Sequence, residues 1–266
     1  MAIRSLLVPY DFSDCATDAL RVAAKIAKLT GATIDIVHVY EQMTDFHTEN
    51  QKKRDEIEEK LETVPQLPFL QGIELKKFML RQMAITDMFK NNNLAHVDLV
   101  VMGSHGAKGT KALVGSNTQK IVRIAPMPVL VIKQHLEDFA INDLVYASNF
   151  TEIDIEKFDA FLPVLEIFDP KVHLVKINTP KTFQRSEETN KAIDRFLQRH
   201  ALKKFSATIY NDLSIEEGIL NFARGIDADM IAMATHGRTG FFHVVNGSLT
   251  EDIVNKTSFP VLSVKL

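Results

Sequence analysis

The sequence predicts an α/β protein built from two tandem, doubly wound domains, residues 1–137 and 138–266, each with a five-stranded parallel sheet. Short β-branched runs alternate with longer segments of helical period, which is the pattern of βαβ units. The first half of the chain also recurs in the second half. A chain of 266 residues is long enough for two small domains of this kind.

Four segments of the first half recur in the second half in the same order. The matched pairs are 6–13 with 144–151, 97–106 with 228–237, 115–116 with 247–248, and 127–133 with 259–265. The offset is 138 residues for the first pair and 131 or 132 for the others, so the second copy is shorter in its middle. Four matches in order indicate a duplicated domain rather than chance similarity.

The positions of the elements follow from local patterns. Strands of the first half are predicted at about residues 3–8, 33–39, 74–79, 97–102 and 128–132. The first helix is predicted after Ser13, which can cap it, because apolar residues recur at helical spacing over 20–27. Another helix is predicted directly after Gly-Ser in each half, where Ser116 with Gln119 and Ser248 with Glu251 have capping-box spacing. Pro163 predicts a kink or a break in its helix.

Composition and charge exclude several classes of partner. With 31 basic and 34 acidic residues and a pI near 6.3, the chain has no excess positive charge to favour nucleic acid or an anionic membrane. The single cysteine, Cys15, cannot form an internal disulfide, so a reducing cytoplasm is expected. No stretch is apolar enough for a membrane span, and Pro9 and Asp11 interrupt the first apolar run before it reaches the length of a secretory signal.

Standard catalytic and metal-binding motifs are absent from the sequence. The lack of Gly-x-Gly-x-x-Gly and of Gly-x-x-x-x-Gly-Lys-Ser/Thr argues against a dehydrogenase and a P-loop enzyme. The nine histidines and one cysteine have no close ligand spacing, and no Gly-x-Ser-x-Gly elbow occurs. We therefore predict no catalytic residue and no metal site. Asp98 and Asp229 are interpreted as the polar ends of strands.

Two loops at the carboxyl ends of the predicted strands are candidates for ligand binding, because ligands of doubly wound sheets bind at that edge. Asp11, after the first strand, can accept a hydrogen bond from a ribose hydroxyl or a base amine, or it can simply support the turn into the helix. Gly103 and Gly115 frame the second loop, and Gly109 lies between them. Backbone amides of that loop and the Ser116 hydroxyl can bind phosphate. Alternatively, the loop only connects a strand to a helix, and Ser116 only caps that helix.

Other polar side chains of these loops leave two interpretations open. Lys108 and Lys111 can neutralise phosphate or can be ordinary solvent-exposed lysines. His105 and His236 occupy equivalent places in the two halves, where each can act as a general base or hold its own loop by a hydrogen bond.

These residues resemble the universal stress protein family, in a tandem form that covers essentially the whole chain. The resemblance rests on the elbow at 11–13, the turn at 103–106, the Gly-Ser pair at 115–116 and the last strand, each with a partner in the second half. It implies Rossmann-like domains with strand order 3-2-1-4-5 that bind ATP or another adenine nucleotide, with or without Mg²⁺. By the family pattern, the nucleotide contacts in the first half are Asp11, the backbone at Val39, Gly103, Gly106, Gly115 and Ser116.

Neither half matches the family pattern fully. In the first half, eight residues rather than nine separate Gly106 from Gly115. In the second half the spacer is intact, but Ala234 replaces a glycine and Asn149 replaces the aspartate. We therefore favour the first half as the nucleotide site. A weaker second site would comprise Asn149, Val175, Gly237, Gly247 and Ser248.

The resemblance also implies an assembly and a role. Family members pair through the last strand, so residues 129–132 are expected to face 261–264 in an internal pseudo-dimer, and a further homodimer is an option. The leading hypothesis is a cytoplasmic stress-response protein that signals to a protein partner when it binds nucleotide, with at most slow hydrolysis. One alternative is an interaction module that has lost nucleotide binding in both halves. Another is an enzyme of related fold that adenylylates substrates or binds a flavin.

Overall fold

The computed structural model describes residues 2–40, 47–81, 89, 94, 96–104, 116–235 and 249–265. Within these ranges ten strands form one sheet. The strands are β1 (Ser5–Pro9), β2 (Thr33–Tyr40), β3 (Leu75–Arg81), β4 (Leu99–Gly103), β5 (Val129–Ile132), β6 (Asp143–Ala147), β7 (Lys171–Asn178), β8 (Phe205–Asn211), β9 (Met230–Thr235) and β10 (Val261–Lys265).

Helices connect the strands and cover both faces of the sheet. The α-helices in the described ranges are α1 (Asp14–Thr30), α2 (His47–Thr63), α3 (Ser116–Ile124), α4 (Glu152–Lys157), α5 (Leu162–Phe168), α6 (Ser186–Arg199), α7 (Ile215–Gly225) and α8 (Leu249–Lys256). Short 3-10 turns occur at Val64–Gln66, Pro68–Leu70 and Phe158–Ala160. Across the described part of the chain, every helix is too short or too polar to cross a bilayer.

The strand order is β3-β2-β1-β4-β5-β10-β9-β6-β7-β8. Each half therefore has the expected order 3-2-1-4-5, and its strands pair in parallel. The halves join through antiparallel pairing of β5 with β10, in which Val131 lies opposite Val261 and Leu130 opposite Leu262. This arrangement confirms the predicted internal pseudo-dimer. The predicted domain boundary at 137/138 falls between β5 and β6 and stays a prediction.

The two halves fix the start of their first strand in the same way. Asp98 Oδ2 accepts hydrogen bonds from the backbone N–H groups of Arg4 and Ser5, at 2.7 and 3.1 Å. In the second half Asp229 Oδ2 accepts from the two residues that lead into β6, at 2.7 and 3.0 Å. Each aspartate thus ties the amino end of one strand to its neighbour, which gives a structural reason for the polar strand ends.

The helix signals of the sequence are confirmed where the structure describes them. Ser13 caps α1, since its Oγ accepts from the N–H of Ala16 at 3.3 Å. Helix α8 begins at Leu249, directly after Ser248, whereas α3 already begins at Ser116, one residue earlier than predicted. Pro163 breaks its helix: α4 ends at Lys157, and α5 restarts with the proline in its first turn, where a missing N–H costs nothing.

The core consists of two helix layers with the sheet between them. One face of the sheet packs against α1, α2, α4, α5 and α6, and the other against α3, α7 and α8. In the second half, the helix layer formed by α4, α5 and α6 contains an aromatic cluster centred on Phe196. The Phe196 ring lies 4.7 Å from Phe158, 5.5 Å from Phe150 and 5.7 Å from Tyr146, between ring centroids. Rings at these separations add specific contacts to the burial of apolar surface.

The aromatic cluster predicts a large stability loss for Phe196→Ala. Phe196 is 0% exposed, so truncation leaves a cavity among rings that cannot collapse freely, and we expect a loss of about 3–5 kcal/mol in the free energy of unfolding. Leu213, which is 81% exposed, is the control: Leu213→Ala is expected to change stability by less than about 0.5 kcal/mol. Urea unfolding of both variants measures the difference. Equal stabilities would contradict the assigned core.

Candidate functional site

The candidate site lies at the carboxyl edge of the first domain. The chain runs from β1 outward to β2 and β3, then returns to β4 on the other side of β1, so strand order reverses between β1 and β4. Ligands of open α/β sheets bind in the crevice at this reversal. The elbow after β1, the ends of β2 and β4, and the first residue of α3 all belong to this region.

Both domains turn from their first strand into a helix through a phenylalanine with positive φ. Phe12 has φ 66° and Phe150 has φ 54°, a conformation that is strained for a bulky side chain. Neighbouring rings hold Phe12 in place, because its ring lies 5.2 Å from Tyr10 and 4.9 Å from His38. The elbow is therefore a preserved backbone feature of the repeat, which the sequence pattern alone did not reveal.

In the first domain, the elbow presents the carboxylate of Asp11 to solvent. Asp11 Oδ1 accepts hydrogen bonds from the N–H and the hydroxyl of Ser13, at 3.1 and 2.5 Å. Oδ2 has no hydrogen-bond partner among the described residues. Asp11 thus supports the turn with one oxygen, and its second oxygen can accept from a ligand.

In the second domain, the elbow has different chemistry. Asn149 replaces the aspartate, and its Oδ1 accepts a hydrogen bond from Lys176 Nζ. Lys176 is only 5% exposed and occupies the position of His38, whose Nδ1 lies 2.7 Å from the carbonyl oxygen of Tyr10. Burial lowers the pKa of Lys176, and the Asp154 carboxylate partly opposes this shift. An amide and a buried ammonium thus stand where the first domain has a carboxylate and an imidazole.

The register of the sheet relates the two predicted backbone positions, Val39 and Val175, to the repeat. Val39 lies near the end of β2, at the carboxyl edge. Val37 pairs with Pro9 in the first domain, and Val175 pairs with Ala147 in the second. Val175 therefore corresponds to Val37, and its carbonyl already accepts from the N–H of Ser148 at 3.1 Å. The true equivalent of Val39, two residues further along β7, is Ile177.

Gly103 is required by packing between β4 and α1. A Cβ at this position would overlap the carbonyl group of Cys15 and lie 2.9 Å from the N–H nitrogen of Ala16. The sequence pattern predicts that this glycine lets a ligand approach the backbone. The structure gives a second reason, which is the close approach of the first turn of α1. Ala234, in β9, is its counterpart.

A cavity of about 470 Å³ lies beside Gly103, at the carboxyl ends of β4 and β5. Its lining includes Cys15, Ser104 and Lys133. Lys133 is 5% exposed, and its Nζ donates to Ser104 Oγ at 3.3 Å. Sequence reasoning missed Lys133 and Lys176, since a single lysine at the end of a strand gives no motif signal.

The following residues lie outside the described ranges: His105, Gly106, Lys108, Gly109, Lys111, Gly115, His236, Gly237, Gly247 and Ser248. Ser116 is described as the first residue of α3. Within the described ranges, no group of three or more histidine, cysteine, aspartate or glutamate side chains is arranged to hold a metal ion.

The packing at Gly103 predicts that Gly103→Ala destabilises the protein. The overlap is with backbone, which cannot rotate away, so we expect a loss of about 1–3 kcal/mol in the free energy of unfolding. Gly225→Ala is the matched control: its Cβ meets nothing within 4 Å at the end of α7, so we expect a gain of about 0.4–1 kcal/mol. Denaturant unfolding compares the two, and the same sign of change in both variants would contradict the packing argument.

Comparisons with known proteins match this architecture. The model of the universal stress protein family matches residues 2–133 and 151–265. Universal stress protein Slr1230 of Synechocystis sp. is 22% identical and covers 98% of this chain and 99% of its own. A universal stress protein structure from Archaeoglobus fulgidus has a TM-score of 0.80 at 17% identity, over 98% of both chains. A universal stress protein solved in complex with cAMP matches 47% of this chain and 98% of its own, at 13% identity and a TM-score of 0.39.

The two family matches fall in different halves of the sheet, and β6 lies between them. The first includes β1 to β5, and the second includes β7 to β10. The structural relative from Archaeoglobus fulgidus extends over both halves together. The chain therefore belongs to the universal stress protein family, with two copies of the family's domain in tandem.

Proposed function

We propose that the first domain binds an adenine nucleotide at the carboxyl edge of its sheet. The observation that carries the proposal is the Asp11 carboxylate, which is exposed beside the strand-order reversal with one oxygen engaged in the turn. A carboxylate in this place can accept hydrogen bonds from ribose hydroxyls. The backbone near Val39 and the amino end of α3 at Ser116 offer groups for the base and for phosphate.

The second domain is proposed as a weaker or different site. Asn149 there has no negative charge, and its amide oxygen is engaged by Lys176. Moving Lys176 away to free that oxygen would leave a buried ammonium without this acceptor, which is costly. The duplicated fold thus supports a single active nucleotide site per chain, in the first domain.

The proposed role is regulatory. The described residues of the edge supply binding groups, and we assign none of them to catalysis. Bound nucleotide would change the surface that the first domain presents to a protein partner, in the cytoplasm and as part of a stress response. The rival is a pure interaction module, and the shortened spacer between Gly106 and Gly115 is the observation that favours it.

Titration calorimetry of nucleotide-free protein with ATP and Mg²⁺ tests the proposal. We expect one site per chain. Asp11→Ala should weaken binding by about 10- to 150-fold, because it removes a hydrogen bond to a charged group worth about 1.5–3 kcal/mol. Asp11→Asn should weaken binding as well, although an amide oxygen can still accept from Ser13. Asp14→Ala, which removes an exposed carboxylate three residues further along, should bind like the unmodified protein.

The outcomes separate the hypotheses. Two sites per chain would show that Asn149 and Ala234 are compatible with binding and would overturn the asymmetry. No heat and no thermal-shift response with ATP or cAMP would favour the interaction module. One site that is unaffected by Asp11→Ala would place the nucleotide elsewhere.

A further inference from the structure

The cavity beside Gly103 contains the only thiol of the chain, and the proposed nucleotide function does not use it. Cys15 lines this cavity of about 470 Å³ together with the buried ammonium of Lys133. A volume of this size is in the range of small-molecule sites. The cavity therefore combines room for a small organic molecule with a nucleophilic side chain.

The surroundings of Cys15 favour a reactive thiol. Cys15 is the second residue of α1, a helix of 17 residues, so its side chain starts from the turn that carries the positive end of the helix dipole. Ser13 Oγ lies 3.2 Å from Cys15 Sγ, within hydrogen-bond distance for sulfur. Helix N-termini and nearby lysines both stabilise thiolates, which are the nucleophilic form of cysteine.

Lys133 provides the second charge of the pair. Burial lowers the pKa of Lys133 to about 8, while the Cys15 thiolate raises it. A group with this pKa is about 90% protonated at pH 7, so Lys133 is mainly an ammonium there. Lys133 therefore places a positive charge in the same cavity as the thiol.

The second domain shows that the fold does not need this pair. Ile153 occupies the position of Cys15, and Lys265, the counterpart of Lys133, is exposed. The same elbow and the same strand order form without a thiol or a buried ammonium at these positions. A structural requirement of the repeat therefore does not explain the pair.

Two carboxylates, Asp14 and Asp18, also line the cavity. Asp14 is exposed to solvent. Asp18 Oδ1 lies 2.6 Å from His135 Nδ1. The ammonium of Lys133 is thus the buried charge that lines the cavity with the thiol.

We propose that Cys15 and Lys133 form a modification site, at which the thiol adds covalently to small, soft electrophiles of the α,β-unsaturated carbonyl class. The thiol loses its proton to solvent, and the thiolate sulfur supplies the electron pair of a new S–C bond to the β-carbon. The electron pair of the C=C bond moves to give an enolate, which takes a proton from the Lys133 ammonium. The amine regains its proton from water, so the addition needs no oxidant and has no leaving group.

The test uses N-ethylmaleimide as the electrophile and mass spectrometry of the intact chain as the readout. Because Cys15 is the only cysteine, each thiol adduct reports this site, and Cys15→Ser is the blank. At pH 6.5 we expect the folded chain to react at least about tenfold faster than the same chain unfolded in urea. A folded-state rate equal to or below the unfolded rate would overturn the proposal.

The contribution of Lys133 is tested by variants with a matched control. Lys133→Met should slow the reaction about tenfold, Lys133→Arg should keep most of the rate, and Lys265→Met should leave it unchanged. An unchanged rate in Lys133→Met would overturn the role of the ammonium. The rate of the unmodified chain at pH 6.5, compared between the folded state and urea, gives a measurement that does not depend on variant folding. The reaction does not require nucleotide, so its outcome is independent of the calorimetry.

Discussion

The antiparallel pairing of β5 with β10 determines the architecture of the whole molecule. An unpaired edge strand exposes a row of backbone hydrogen-bonding groups, and the residues that pair between these two strands are all buried. Their pairing converts two five-stranded sheets into one continuous sheet. Because the strands of the two halves then run in opposite directions, the two carboxyl edges lie at opposite ends of the sheet, and the two candidate sites are separate.

Duplication preserved the backbone of the repeat more closely than its chemistry. Both halves keep the positive-φ phenylalanine of the elbow and the aspartate that ties the amino ends of two strands together. The polar groups around the elbow differ: Asp11 with His38 in one half, and Asn149 with Lys176 in the other. Close packing constrains backbone shape, whereas solvent-facing and cavity-lining positions can change their charge without loss of the fold.

Each half contains a buried lysine that the fold shared by the two halves does not require. An ammonium in the interior is destabilising unless a partner offsets its lost hydration. Ser104 and the Cys15 thiol offset it for Lys133, and Asn149 with the more distant Asp154 does so for Lys176. The two lysines occupy different positions of the repeat. The two halves therefore have buried positive charges at different places in the same fold.

The sequence by itself determined the fold class, the duplication, the strand positions to within two residues, the helix starts and the break at Pro163, because these depend on local periodicity, capping and turn chemistry. The resemblance added the strand order and the pairing of the last strands. Only the tertiary structure decided that Gly103 accommodates α1 and that Lys133 and Lys176 are buried. These features depend on distances between segments far apart in the chain, which no pattern of neighbouring residues records.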